Sequence, residues 1–141
     1  MTWPMILAPM FVLVLMTFVL VILLAVVRAP ALNSGQVKAE DVALRQPNWP
    51  ERALQVGYSF QNQFELPVLF YLLTILALIT KHADFLFVVM AWIFVLTRLC
   101  HAFVHCTNNN LRLRGSFYAI GAIVLAIMWL IFIVRIMLVL P

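Results

Sequence analysis

The chain has 141 residues, 66% hydrophobic and 10% charged, with a net charge of +4 and a mean hydropathy of +1.10. A soluble domain would be nearer half apolar and a quarter charged, so a soluble fold is excluded. The positive charge calls for no nucleic acid, because basic residues beside a bilayer meet anionic lipid headgroups.

Four apolar stretches reach the roughly 20 residues that cross a hydrocarbon core as helix. They predict an all-α integral membrane protein, a four-transmembrane-helix bundle forming one domain over 1–141. Its helices are expected at about 5–27, 50–80, 85–106 and 115–140, with the principal loop at about 28–49. Loops one and three hold Arg28, Lys38, Arg45, Arg52, Arg112 and Arg114, whereas loop two holds Lys81 alone. The positive-inside rule then places loops one and three in the cytoplasm and both termini opposite. Cys100 and Cys106 form no CxxC pair and read as packing residues.

The first helix has no ionisable residue between Met5 and Val27. It lacks the basic n-region of a signal peptide, and its apolar run is too long for one, so it reads as a permanent span. Arg28 at its end serves as a snorkelling anchor or holds an anionic ligand. The polar stretch that follows has Pro30, Asn33-Ser34-Gly35 and Pro47 as breakers, and Asn48-Trp49-Pro50-Glu51 reads as the start of the second helix. It shows neither a phosphate-cradling glycine loop nor a metal-ligand spacing.

The second helix carries Asn62, Glu65 and Pro67 in an otherwise apolar run. Asn62 and Glu65, three apart, share a face. A carboxylate in hydrocarbon costs about 2.5 kcal/mol or more on insertion scales, so Glu65 needs a partner or a water-filled cavity. Pro67 cannot donate to the carbonyl of Gln63, which is thereby freed. Lys81-His82-Ala83-Asp84 is a short turn whose charges are expected to be solvated.

Arg98, His101 and His105 form one polar stripe on the third helix. At about 1.5 Å per residue, Glu65 and Arg98 lie at similar depth from the loop-one end, which predicts an ion pair or a ligand bridging the two. His101 can titrate or hydrogen-bond a polar group, and His105 reads as an interface residue. Arg114 and Tyr118, four apart, share a face where the fourth helix begins. Arg135 near its far end is expected to snorkel and to have no functional role.

The motif Asn62-x-x-Glu65-x-Pro67 with Phe70, Arg98 with His101, and Arg114 with Tyr118 resemble the MAPEG family, the membrane-associated proteins of eicosanoid and glutathione metabolism. The likeness spans nearly the whole chain in layout and is of the bacterial type. It implies a homotrimer, multi-pass in a bacterial inner membrane, with glutathione held between subunits. Asn62, Glu65, Arg98 and His101 would bind glutathione, with Arg114 and Tyr118 as catalytic residues near its thiol. A lipophilic small molecule from the bilayer would be the second substrate. The chain departs from glutathione-using members at Gln61 and Tyr58, where they usually carry basic residues. The implied activity is a glutathione transferase or peroxidase acting on lipophilic electrophiles or lipid hydroperoxides. The alternative is a non-catalytic lipid-binding or scaffold protein of the same fold. A small multidrug transporter fits less well, because the first helix is uncharged and the first loop long.

Overall fold

A computed structural model describes residues 2–138. Among them the structure is helical without strands: α1 (Trp3–Asn33), α2 (Glu51–Gln61), α3 (Leu66–Ile79), α4 (Phe85–Cys106) and α5 (Leu111–Met137). A short 3₁₀ turn at Ala39–Asp41 interrupts the first loop, and a second at Asn62–Phe64 joins α2 to α3. Four helical spans are long and apolar enough to cross a membrane: Trp3–Asn33, Glu51–Ile79, Phe85–Cys106 and Leu111–Met137. The expected end of the fourth helix, at 140, lies outside the described residues.

Two expectations about breakers change. Pro30 does not end α1, which runs on to Asn33. The missing N–H of Pro30 falls in the last turns, where Ser34 N donates to Pro30 O at 2.9 Å and Gly35, at φ 74°, donates to Leu32 O at 3.1 Å. The second span, read as one helix from 50 to 80, is broken at Glu65, whose backbone sits at φ −100°, ψ −109°. Pro67 within the first turn of α3 explains the break, since its ring disfavours helix in the preceding chain and removes one donor. On the α2 side of the break the buried Gln63 side chain donates back to Ser59 O at 2.9 Å.

The remaining ends are closed by local chemistry. Asp84 caps α4 by accepting from Phe87 N at 2.9 Å, and Asn110 caps α5 by accepting from Arg112 N and Leu113 N at 3.1 and 3.2 Å. Side-chain acceptors satisfy backbone donors that a helix start leaves unpaired. Asp84 is not simply solvated, as expected, but pairs with Arg135 at 2.8 Å. Arg135 accordingly ties the far end of α5 to the start of α4 instead of only reaching for the interface.

The central helix is α4, which packs most extensively on α5 and also meets α1 and α2. Leu13 of α1, Phe70 and Leu73 of α3, and Ala91, Phe94 and Val95 of α4 are fully buried in one cluster. The Phe70 and Phe94 rings lie 4.9 Å apart. Gly121 lets α5 approach α4: a Cβ there would fall 2.7 Å from Thr97 Oγ1. Close approach at a small residue is the usual basis of helix association in lipid, where burial of apolar surface gives little drive. The outer faces of α1 and α5 expose large apolar side chains such as Phe18, Ile22, Ile123 and Leu130.

Candidate functional site

The site forms because three discontinuities meet at the end of the bundle that carries the long first loop. The 3₁₀ turn exposes the Asn62–Glu65 segment, the last turns of α4 present His101 and His105, and the first turns of α5 bring Arg114 and Tyr118. Arg52 of α2 donates to the carbonyl of Cys106 at the end of α4, fixing α2 against α4 beside the site.

Tyr118 donates from its hydroxyl to Glu65 Oε2 at 3.2 Å. The Asn62 amide nitrogen, oriented toward Glu65, donates to both carboxylate oxygens at 3.1 Å, which leaves the amide oxygen 3.2 Å from His101 Nε2. The Asn62 side chain also lies 3.4 Å from His105 Nδ1. His101 Nδ1 lies 3.0 Å from the backbone carbonyl of Arg114, a contact that ties α4 to α5. The His101 ring packs against those of Tyr118 and His105, at 5.6 and 5.7 Å between centroids. Arg114 Nη1 donates to Asn109 Oδ1 at 2.5 Å, which steers its guanidinium along the rim.

These groups line an open cavity of about 530 Å³. Asn62, Glu65, His101, Arg114 and Tyr118 all face it, together with His105, Tyr58 and Gln61. Arg98 is placed differently. It is fully buried beneath the cavity, and its Nη2 donates to the backbone carbonyl of Asn62 at 3.2 Å. The expected Glu65–Arg98 ion pair is absent from the described residues: Glu65 is taken up by Tyr118 and Asn62, and the break before Pro67 turns the Asn62 carbonyl toward the arginine instead. The Arg98 guanidinium carbon lies 5.4 Å from the Tyr118 ring centroid, a cation–π arrangement. Nε and Nη1 of Arg98 have no hydrogen-bond partner.

His105, in the last turn of α4, is buried and also lines the cavity. The signal was available, since His105 is one turn from His101 on the same polar stripe. Among the described residues no group of three His, Cys, Asp or Glu side chains is arranged to hold a metal ion.

Chemically, the cavity offers a carboxylate, two amides, two imidazoles, two phenols and a guanidinium. It can accept ammonium and amide groups of a peptide at Glu65 and Asn62, and place an acid or a thiolate near Arg114 and Tyr118.

No individual curated protein and no solved structure matches the chain. A family model does: that of the MAPEG family, over residues 6–134. Four spans in a helical bundle, an interrupted second span with Asn62 and Glu65 at the interruption, and this match across nearly the whole chain lead to one conclusion: the protein is a multi-pass integral membrane protein of the MAPEG family.

Proposed function

We propose that the protein binds glutathione in the cavity between the 3₁₀ turn, α4 and α5, and conjugates it through its sulfur to lipophilic electrophiles or uses it to reduce lipid hydroperoxides. The supporting observation is the convergence of Asn62, Glu65, His101, Arg114 and Tyr118 on one open cavity. The family contains glutathione transferases and peroxidases as well as members without catalytic activity. In this reading Asn62, Glu65 and His101 hold the peptide, with Arg98 supporting Asn62 from beneath. Arg114 and Tyr118 act on the thiol. A free thiol has a pKa of about 8.5, and a neighbouring guanidinium raises its thiolate fraction. The thiolate then attacks the electrophilic carbon, a C–S bond forms, and the leaving group or the conjugated π-system takes the electron pair.

The protein is proposed to work as a homotrimer in a bacterial inner membrane, loops one and three cytoplasmic, so that lipophilic substrates arrive laterally from the bilayer. A second reading, a non-catalytic lipid-binding or scaffold protein, is favoured by Tyr58 and Gln61. Both line the cavity at positions where the family's glutathione users usually carry charge-assisted contacts.

Calorimetry of glutathione binding to the detergent-purified protein tests the first reading. Micromolar to low-millimolar affinity, abolished by Glu65→Gln and Arg98→Ala, is expected. Tyr118→Phe and Arg114→Ala are expected to retain binding to within a few fold but to lower turnover of a model electrophile by about tenfold to a thousandfold. A well-folded protein with no detectable glutathione binding would sink the transferase reading and support the second.

A further inference from the structure

A second cavity, of about 580 Å³, lies under the first loop between the end of α1 and the start of α2. Its polar end holds two arginines, Arg28 of α1 and Arg45 of the loop. Among the described residues neither has a carboxylate within ion-pairing distance. The Arg28 guanidinium is built into place. It lies 4.5 Å from the Trp49 ring centroid and crosses α2 at Gly57, where a Cβ would come within 3.0 Å of Nη2. Its Nε is buried and has no hydrogen-bond partner. A snorkelling anchor would send its charge outward to water. This one is clamped between an indole and a glycine, facing a cavity that a second cation shares.

The opposite end of this cavity is apolar. Phe60 and Phe64 line it, and both also line a groove of about 350 Å³ between α1 and α3 that contains Val14, Phe18, Val21 and Tyr71. The two spaces adjoin at Phe60 and Phe64 and together make a path that is cationic at the rim and mostly apolar below. From Arg28 to Val14 the helix rises about 21 Å at 1.5 Å per residue. One leaflet, half of a bilayer about 40–45 Å thick with its headgroups, has that depth. Charge at one end, apolar lining at the other and a single-leaflet length together specify the occupant.

We propose that this path is a specific site for one anionic phospholipid, its phosphate on Arg28 and Arg45 beside Trp49 and one acyl chain along Phe60, Phe64 and Phe18. A guanidinium suits a phosphate because it donates two parallel N–H groups, and contacts between ionised partners are the strong ones. Gly57 is needed so that Arg28 can lie across α2. The site is distinct from the glutathione cavity, which it adjoins at Tyr58 and Gln61, and it does not depend on the chemistry proposed there.

The test uses the full-length protein in mild detergent. Thermal unfolding and native mass spectrometry are followed while phosphatidylglycerol, phosphatidylcholine or inorganic phosphate is titrated. Phosphatidylglycerol is expected to remain bound through the mass measurement and to raise the melting temperature, with about tenfold or greater preference over phosphatidylcholine. Arg45→Gln, on an exposed loop position where its side chain makes no hydrogen bond, is expected to remove most of that preference without altering the fold. Gly57→Ala is expected to weaken retention by displacing Arg28. Equal retention of both phospholipids by the wild-type protein would overturn the proposal. Competition by millimolar inorganic phosphate as effective as by phosphatidylglycerol would overturn the lipid assignment in favour of a soluble anion. An undiminished preference in both Arg45→Gln and Arg28→Gln would overturn the assignment to these arginines.

Discussion

At the scale of single residues, the described charges fall into two groups with different neighbours. Glu65 in the candidate site is held by neutral donors, Tyr118 and Asn62, while the buried Arg98 finds only a carbonyl and an aromatic face. Neither charge is neutralised by the other, because each is held by neutral groups of its own. At the opposite end of the bundle, Asp84 and Arg135 do pair, at 2.8 Å. Burial raises the Asp84 carboxyl, but the Phe87 N–H and the Arg135 guanidinium outweigh it and hold the group below its ordinary range. A depressed carboxyl contributes stability that is complete above its unfolded pKa of about 3.9 and is lost as pH falls through the lower folded value. The pair is partly exposed, with side chains 24% and 42% accessible, so screening limits its worth to about 0.5–1 kcal/mol. The melting temperature is therefore expected to fall below about pH 4. Asp84→Asn should lower it at neutral pH and flatten that acid limb, which thermal unfolding from pH 3 to 7 would check. A variant with an unchanged acid limb would show that another carboxylate controls it.

At the scale of elements, the four spans were legible because about 20 consecutive apolar residues leave little else possible. The polar stripe of α4 and the pairing of Arg114 with Tyr118 could be read from spacing alone. The partners could not. A rise per residue places Glu65 and Arg98 at one depth but says nothing of azimuth, and a proline marks a break without giving the direction in which the freed backbone turns. The Asn62 carbonyl took the place expected for Glu65 for that reason. Pro30 misled in the opposite sense, since a helix tolerates proline near its end when the following turn supplies other hydrogen bonds. Gly121 illustrates what composition hides. Among many small residues it alone of the described glycines has a Thr97 hydroxyl 2.7 Å from its missing Cβ, and that hydroxyl is itself fixed on Phe94 O at 2.6 Å. Gly121→Val would force α4 and α5 apart and is expected to destabilise the bundle by about 1–3 kcal/mol. Detergent-dependent unfolding would reveal the loss. Because His101 bonds to Arg114 across the same helix pair, the variant should also weaken ligand binding at the site about one to two turns away. A variant as stable as the wild type would mean that the helices close on each other without this contact.

At the scale of the whole molecule, the candidate cavity is open on one side. Asn62, Glu65, His101 and Tyr118 line it from a single chain, while Tyr58, Gln61, Leu111 and Gly115 lie exposed around its open side. Small-molecule sites bury about 70–90% of a ligand's surface, which a cavity with an open side does not achieve for a tripeptide. The outer faces of α1 and α5 meanwhile present large apolar side chains that suit either lipid or a second copy of the chain. In the proposed homotrimer both needs are met together: a neighbour's helix closes the open side as it covers an apolar face. The isolated protein is then expected to have three times the 16.1 kDa mass of one chain by light scattering corrected for detergent. Glutathione affinity should follow the trimer, falling by about tenfold or more when harsher detergent or dilution yields folded monomers. Retention of full affinity by a helical, monodisperse monomer would place the whole binding site within one chain and remove the need for a neighbour's wall.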